Sequence, residues 1–393
     1  MIYIKSIQNR MQEEELQVFV PIRDKQKSYW SLLIIVGLYY LHSSLQFVYY
    51  QEEYGNDLCY FNLKCQHPLG HIKSFNNVIS NVFYVLLGII FLIIIKFTSP
   101  TTDDNRGLHK DNSLYYSIGI VLILEGFSSA IYHICPSKLN FQFDTTFMFI
   151  GAALVFLSLY QKRHQDKIPG AFKTYGFMWL IILANTLSLA GLVTGLEVVF
   201  WIFIYILILY ILFLSSINIY YSSNWPLDRE LPSKILHAFR HMNPYQYPKL
   251  IVIILINLYN IIMLIYATAQ HAIDFTDWLL ALFVINMLIY FMYYIVCKIY
   301  YREPIKWYVM VLLFIDFAII VASLLFFSKS VSNKSLSHHD SNLLNKPCVL
   351  FNYFDYHDIW HMLSAIGLFM FMIVVYIIDH GLDDIPRNEI HKF

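Results

Sequence analysis

Charge is scarce in this chain. Asp, Glu, Lys and Arg make up 14% of its 393 residues, against about 25% in an ordinary soluble domain. The 27 basic and 27 acidic residues cancel, so total charge gives no argument for nucleic-acid affinity. No glycine-rich phosphate loop, nucleophile elbow, internal repeat or low-complexity tract is present, so the motifs that mark phosphate-binding loops or α/β-hydrolase chemistry are missing. The N-terminal stretch Met1–Lys27 is polar, mixed in charge and without an apolar core. A cleavable signal peptide is therefore not expected, and the first apolar run must act as its own insertion signal.

What the chain has instead is apolar length. Hydrophobic residues reach 58%, and many windows attain the roughly 20 apolar residues needed to cross a hydrocarbon core. Hydropathy predicts an all-α, multipass bundle of about ten spans: Trp30–Tyr50, Asn76–Ile95, Ser113–Ile134, Phe143–Tyr160, Tyr175–Thr194, Val198–Ile217, Leu250–Ala269, Trp278–Val296, Val309–Phe327 and Ile359–Ile378. Residues 1–29 and 380–393 flank it as tails. The weakest boundary is at Gly195-Leu196-Glu197, which interrupts an apolar run too long for one helix.

Basic residues in short loops favour the cytoplasm. One set of loops holds Arg23, Lys25 and Lys27, then Arg106 and Lys110, Lys162 and Arg163, Lys298 and Arg302, and finally Arg387 and Lys392. Both termini are thus expected inside, a parity that ten spans satisfy. Cys59, Cys65, Cys135 and Cys348 then fall outside, and Cys297 near the inner face. Four outer cysteines suit the oxidising side of a plasma or endolysosomal membrane. They allow three pairings, and the alternative of unpaired buried thiols stays open. The glycosylation sequon Asn333-Lys334-Ser335 also falls in an outer loop.

Polar residues at span ends form the candidate site. His133 ends the third span, Asp144 opens the fourth, and His357 and His361 open the tenth. All four lie near the outer boundary. Ser129 is one turn deeper than His133 on the same face, and Glu125 one turn deeper again. The His-x-x-x-His spacing lets two imidazoles reach one ion. Ionisable groups in spans are costly and tend to be functional, so three histidines with Asp144 are expected to hold Zn²⁺. Asp144 is either a fourth ligand or the group that holds and deprotonates water, with Ser129 bonding an oxyanion. Glu125 either supports a ligand from behind or is a neutral acid. An uncharged structural polar network is the alternative. Asn77, Ser80 and Asn81 share a face of the second span, where hydrogen bonds between helices are expected. Asp316 is expected to be buried without a basic partner.

The stretch Asp57-Leu58-Cys59-Tyr60-Phe61-Asn62-Leu63-Lys64-Cys65-Gln66-His67-Pro68-Leu69-Gly70 resembles the first outer loop of the SID (systemic RNA interference defective) transmembrane family. Phe75-Asn76-Asn77-Val78-Ile79-Ser80-Asn81 continues the resemblance, as do Glu125-Gly126 with Ser129, Tyr132-His133 and Cys135-Pro136. So do Asn140-Phe141-Gln142-Phe143-Asp144-Thr145 and Tyr356-His357-Asp358-Ile359-Trp360-His361. The resemblance implies uptake or release of double-stranded RNA across plasma or lysosomal membranes, and cholesterol uptake in some relatives. It also implies kinship with membrane hydrolases, alkaline ceramidases among them, in which Ser129, His133, Asp144, His357 and His361 would surround zinc. Members usually begin with a large β-rich extracellular domain and an extra span, which this chain is expected to lack. The expectation is therefore a truncated gene product, RNA capture by a partner, or another role for the core.

Three functions follow as expectations: a transporter or accessory channel for double-stranded RNA, a zinc-dependent hydrolase of lipid amides or esters, and a zinc-stabilised sterol-binding or receptor-like bundle. Membrane lipids, cholesterol, double-stranded RNA and further copies of the chain are the partners these readings allow.

Overall fold

A computed structural model describes residues 28–54, 59–98, 106–108, 112–164, 171–189, 197–221, 230–240, 247–269, 275–329 and 331–393. They form helices α1 (Ser28–Tyr54), α2 (Phe75–Ile79), α3 (Val82–Thr98), α4 (Asn112–Tyr132), α5 (Phe141–Arg163), α6 (Ala171–Leu189) and α7 (Glu197–Tyr220). These are followed by α8 (Leu231–Arg240), α9 (Tyr247–Ala269), α10 (Phe275–Tyr300), α11 (Trp307–Phe327), α12 (His338–Leu343) and α13 (Tyr356–Ile377). No strand occurs among the described residues.

The protein is an all-α multipass bundle. Among the described residues, nine helices are long and apolar enough to cross a membrane. The remaining expected span, Tyr175–Thr194, falls on α6, whose apolar part is shorter. The last residues of that span, and Gly195 and Leu196 beyond it, lie outside the described residues.

The expected second span is divided. Ser80 Oγ and Asn81 Nδ2 both donate to the Asn77 carbonyl, at 2.8 and 2.9 Å, and α2 ends there before α3 begins. Short polar side chains that bond nearby carbonyls compete with the helical ladder. The neighbouring Asn76 works between helices, its Nδ2 donating to Asp358 Oδ2 at 3.0 Å.

The bundle centres on α5, where 83% of the apolar stretch is buried, against 17% on the peripheral α7 and α11. Helix α5 packs against α4, α6, α10 and α13. Against α4 lies α3, and their approach depends on glycine. A Cβ on Gly126 would stand 2.7 Å from Val85 Cγ2 and 3.0 Å from Tyr84 Cβ. Gly126→Val is expected to cost about 1–3 kcal/mol by overpacking, read as a lower melting temperature in detergent. An unchanged melting temperature would refute this close-packing account.

The two ends of the bundle differ. One carries all four paired cysteines. The other carries a buried ion network at the C-terminal ends of α5, α10 and α13. Arg163 places Nη1 and Nη2 on the two Glu303 carboxylate oxygens at 2.9 and 2.8 Å, and Nη2 also reaches Asp379 Oδ1 at 3.1 Å. Lys298 Nζ reaches the same Asp379 oxygen at 2.8 Å, and Lys162 Nζ reaches Oδ2 at 3.0 Å. Tyr294 donates its hydroxyl to Asp379 Oδ2 at 2.8 Å. Side chains this buried are found as ions only when paired.

Residues 380–393 pack onto that end. Leu382, Ile390 and Phe393 are buried, the Phe393 ring centre lies 4.2 Å from the Arg163 guanidinium, and Arg163 Nη1 donates to the His391 carbonyl at 3.1 Å. Gly107 N donates to Ile385 O at 2.8 Å. Gly107 has φ +65, and a Cβ there would meet Asp383 Cα at 3.1 Å, so the contact requires glycine on two counts.

Candidate metal centre

Three imidazoles meet at the cysteine-bearing end. His133 is the residue after α4, its N–H donating to Ser129 O at 3.0 Å. His357 and His361 occupy the first two turns of α13 on one face. Ring centres lie 5.1 Å apart for His133–His357, 4.8 Å for His133–His361 and 4.6 Å for His357–His361. His133 Nε2 and His361 Nε2 are 2.9 Å apart, and one ligand atom from each histidine lies within 4.8 Å of the others.

Local chemistry fixes the start of α13. Asp355 caps it, accepting from His357 N at 2.8 Å and Asp358 N at 3.0 Å, while Asp358 Oδ2 accepts from Asp355 N at 3.0 Å. This capping box is buried, and Asn62 Nδ2 donates to Asp355 Oδ2 at 2.9 Å. Asn62, Asn76 and Asp355 had no assigned role from sequence, although Asp355-x-x-Asp358 before an apolar run has the spacing of a reciprocal cap.

Two disulfides brace the same region. Cys59 pairs with Cys135, and Cys65 with Cys348. Cys135 follows His133 by two residues, and Cys348 lies in the loop that enters α13. The single segment 59–65 is thus stapled to both histidine-bearing segments. Cys297 is a free, buried thiol.

Ser129 and Asp144 form a pair beside the imidazoles. The Ser129 hydroxyl donates to Asp144 Oδ1, so its proton points at the carboxylate. Ser128 next to it donates to the Phe143 carbonyl, further joining α4 to α5. Asp144 lines the same cavity as His133 and His357, but it is not in the three-histidine cluster. Glu125 is buried one turn below Ser129, and its Oε2 has no hydrogen-bond partner.

The donor set suits a divalent cation. His357 Nε2 and His361 Nδ1 are buried without hydrogen-bond partners, and imidazole nitrogens left that way are costly. Three imidazoles with a carboxylate close by match the ligand types zinc prefers.

The cavity over the cluster measures about 280 Å³. Asn333 lies at its rim, half-buried, its Oδ1 accepting from Ser335 N at 2.9 Å. Far from the cluster, Asp316 on α11 is 4% exposed, and its Oδ1 has no partner.

The fold and the cluster together define a multipass membrane protein with a histidine centre buried at one end of its bundle. Residues 3–393 match the family model described as the dsRNA-gated channel SID-1. The chain belongs to that family. It is 32% identical to Cholesterol uptake protein 1 of Caenorhabditis elegans over 391 residues, covering 94% of this chain and 51% of the relative. It is 33% identical to SID1 transmembrane family member 1 of Mus musculus over 395 residues, covering 95% of this chain and 47% of the relative. The human protein of the same name is also 33% identical, over 398 residues, again with 95% and 47% covered. The chain thus spans about half the length of these relatives.

Proposed function

We propose that the three-histidine cluster is a zinc centre and that this protein hydrolyses amide or ester bonds of membrane lipids. The observation that carries this reading is the convergence of His133, His357 and His361 beside the Ser129–Asp144 pair. His133, His357 and His361 would hold the ion. Bound zinc lowers the pKa of water towards about 7 and polarises a carbonyl. Asp144 lines the cavity and would take the proton of the attacking water. Ser129 orients Asp144 through its hydroxyl, and Asp358 and Asp355 hold the α13 ligands in place. Because the cluster lies at the end of apolar helices, it meets a lipid near its headgroup and not a soluble substrate.

The test is turnover of synthetic ceramide-type amides and phospholipid esters by the purified chain. Asp144→Asn is expected to lower turnover about 10²–10⁴-fold while zinc content stays unchanged. Zinc-loaded protein that turns over neither class would make the centre a structural clamp, as in a sterol-binding or receptor-like bundle. The name of the nematode relative gives that alternative its support.

A second reading, passage of double-stranded RNA, rests on the family match over residues 3–393. Cells expressing the chain would then take up labelled long duplex RNA beyond an empty-vector control. Equal uptake in both would reject transport by this chain alone.

A further inference from the structure

Helices α1, α3 and α4 leave an open groove of about 820 Å³ between them, away from the histidine cluster. Helix α4 forms its floor, and α1 and α3, each packed on α4, form its walls. Close packing fixes the register. A Cβ on Gly126 would meet Val85 and one on Gly119 would meet Leu92, so α3 and α4 run antiparallel, with Lys96 near Tyr116. Gln51 Nε2 donates to Ser137 Oγ at 3.3 Å, so α1 ends beside the Cys135 segment and Trp30 lies towards the other end. The lining therefore runs from Lys96, Tyr116 and Trp30 at one end to Leu41 and Phe127 at the other. The Thr98 hydroxyl donates to Tyr376 Oη at 3.1 Å, which places the Lys96 end at the ion-network end of the bundle.

Lys96 is the only charged residue among those that line the groove, and it is exposed. A lysine stem lies readily along apolar surface with its ammonium in the polar layer. The Tyr116 hydroxyl and the Trp30 indole N–H are further donors, and such rings favour the membrane interface. From Tyr116 to Phe127 helix α4 rises about 16 Å, roughly half of a hydrocarbon core. The groove is thus one leaflet deep. It matches a lipid chain, and it is too short to seat a helix that spans the whole bilayer.

We propose that this groove binds one phospholipid with an anionic headgroup, held by Lys96 with Tyr116 and Trp30 beside it, its chain lying along Ile120 and Ile123 towards Phe127. Disulfides form on the oxidising side of a membrane, which leaves the Lys96 end to the cytoplasmic leaflet, where phosphatidylserine and phosphatidylinositol concentrate. A sterol would fill the same apolar length but would offer the ammonium no charge. The groove shares no lining residue with the cavity over the histidines, so the inference stands apart from the zinc and hydrolase readings.

The experiment is native mass spectrometry of the full chain, released from detergent after equilibration with equal amounts of phosphatidylserine, phosphatidylcholine and cholesterol. The wild-type chain is expected to retain one phosphatidylserine, at about tenfold preference over phosphatidylcholine, the worth of one charge-assisted hydrogen bond. Lys96→Ala and Lys96→Gln are expected to bring that ratio close to one, and Lys96→Arg to keep most of it. Ile120→Trp on the floor and Ile34→Trp on the α1 wall are each expected to fill the groove and displace both phospholipids. Melting temperatures in detergent identify any variant that fails to fold, and the exposed Lys96 variants should melt like the wild type. A preference that survives both neutral variants overturns the role of Lys96. One that depends on Lys96 but survives both tryptophan variants puts the lipid on the outer surface and overturns the groove. Cholesterol retained in place of phosphatidylserine overturns the choice of ligand.

Discussion

Replacing His357 and His361 together with alanine is expected to strip the purified protein of zinc. The wild-type chain should hold about one zinc ion per molecule, as a three-histidine site with a nearby carboxylate would. The double variant should fall to background, and lipid turnover should disappear with the metal. The geometry requires this, because the two side chains stand one turn apart on α13 and supply two of the three clustered imidazoles. His133→Ala should lose zinc as well, since its Nε2 is 2.9 Å from His361 Nε2. Ser129→Ala should retain it, because the Ser129 hydroxyl is directed to Asp144 and not to the cluster. Elemental analysis of detergent-purified protein decides the matter. Wild-type protein free of zinc would remove the basis of the hydrolase reading. Zinc retained by the double variant would place the ion elsewhere.

The second large effect lies at the opposite end. Asp379→Asn is expected to destabilise the bundle by about 3–5 kcal/mol, the usual cost of removing one partner from a buried ion pair. Asp379 is 2% exposed and accepts from Lys162, Lys298, Arg163 and Tyr294. Without its charge, Lys162, Arg163 and Lys298 lose the carboxylate they share. The exposed Asp384 provides the control, since surface substitutions usually stay within about 0.5 kcal/mol. Thermal unfolding in detergent should separate the two variants clearly. If both melt alike, the network does not stabilise the fold. Because Arg163 also bonds the His391 carbonyl, Asp379→Asn should expose residues 380–393 to faster proteolysis.

The expectation that residues 380–393 form a tail shows where reading along the chain stops. Only Leu382, Ile385, Ile390 and Phe393 hinted at burial there, and their role depends on Arg163, more than two hundred residues earlier. Lys162 and Arg163 read naturally as loop cations that set orientation. Their carboxylate partners lie on other elements, and no local pattern announces them. Lys334, which lines the cavity over the histidines, read as part of a glycosylation sequon for the same reason. Its place over the histidines depends on how the α11–α12 loop folds back on the bundle.

Sequence alone determined the helices, because spanning a bilayer is a local demand: about 20 apolar residues in a row are visible without any partner. It also determined the pairing of His357 with His361, since one turn of helix stacks residues four apart. Tertiary structure alone decided which cysteines pair and that segment 59–65 staples both histidine-bearing segments. It alone decided that Asp144 pairs with Ser129 and stays out of the three-histidine cluster. It also built the ion network at the far end. Each of these joins residues distant in the chain, and only the packing of α4, α5, α10 and α13 around one another brings them within reach.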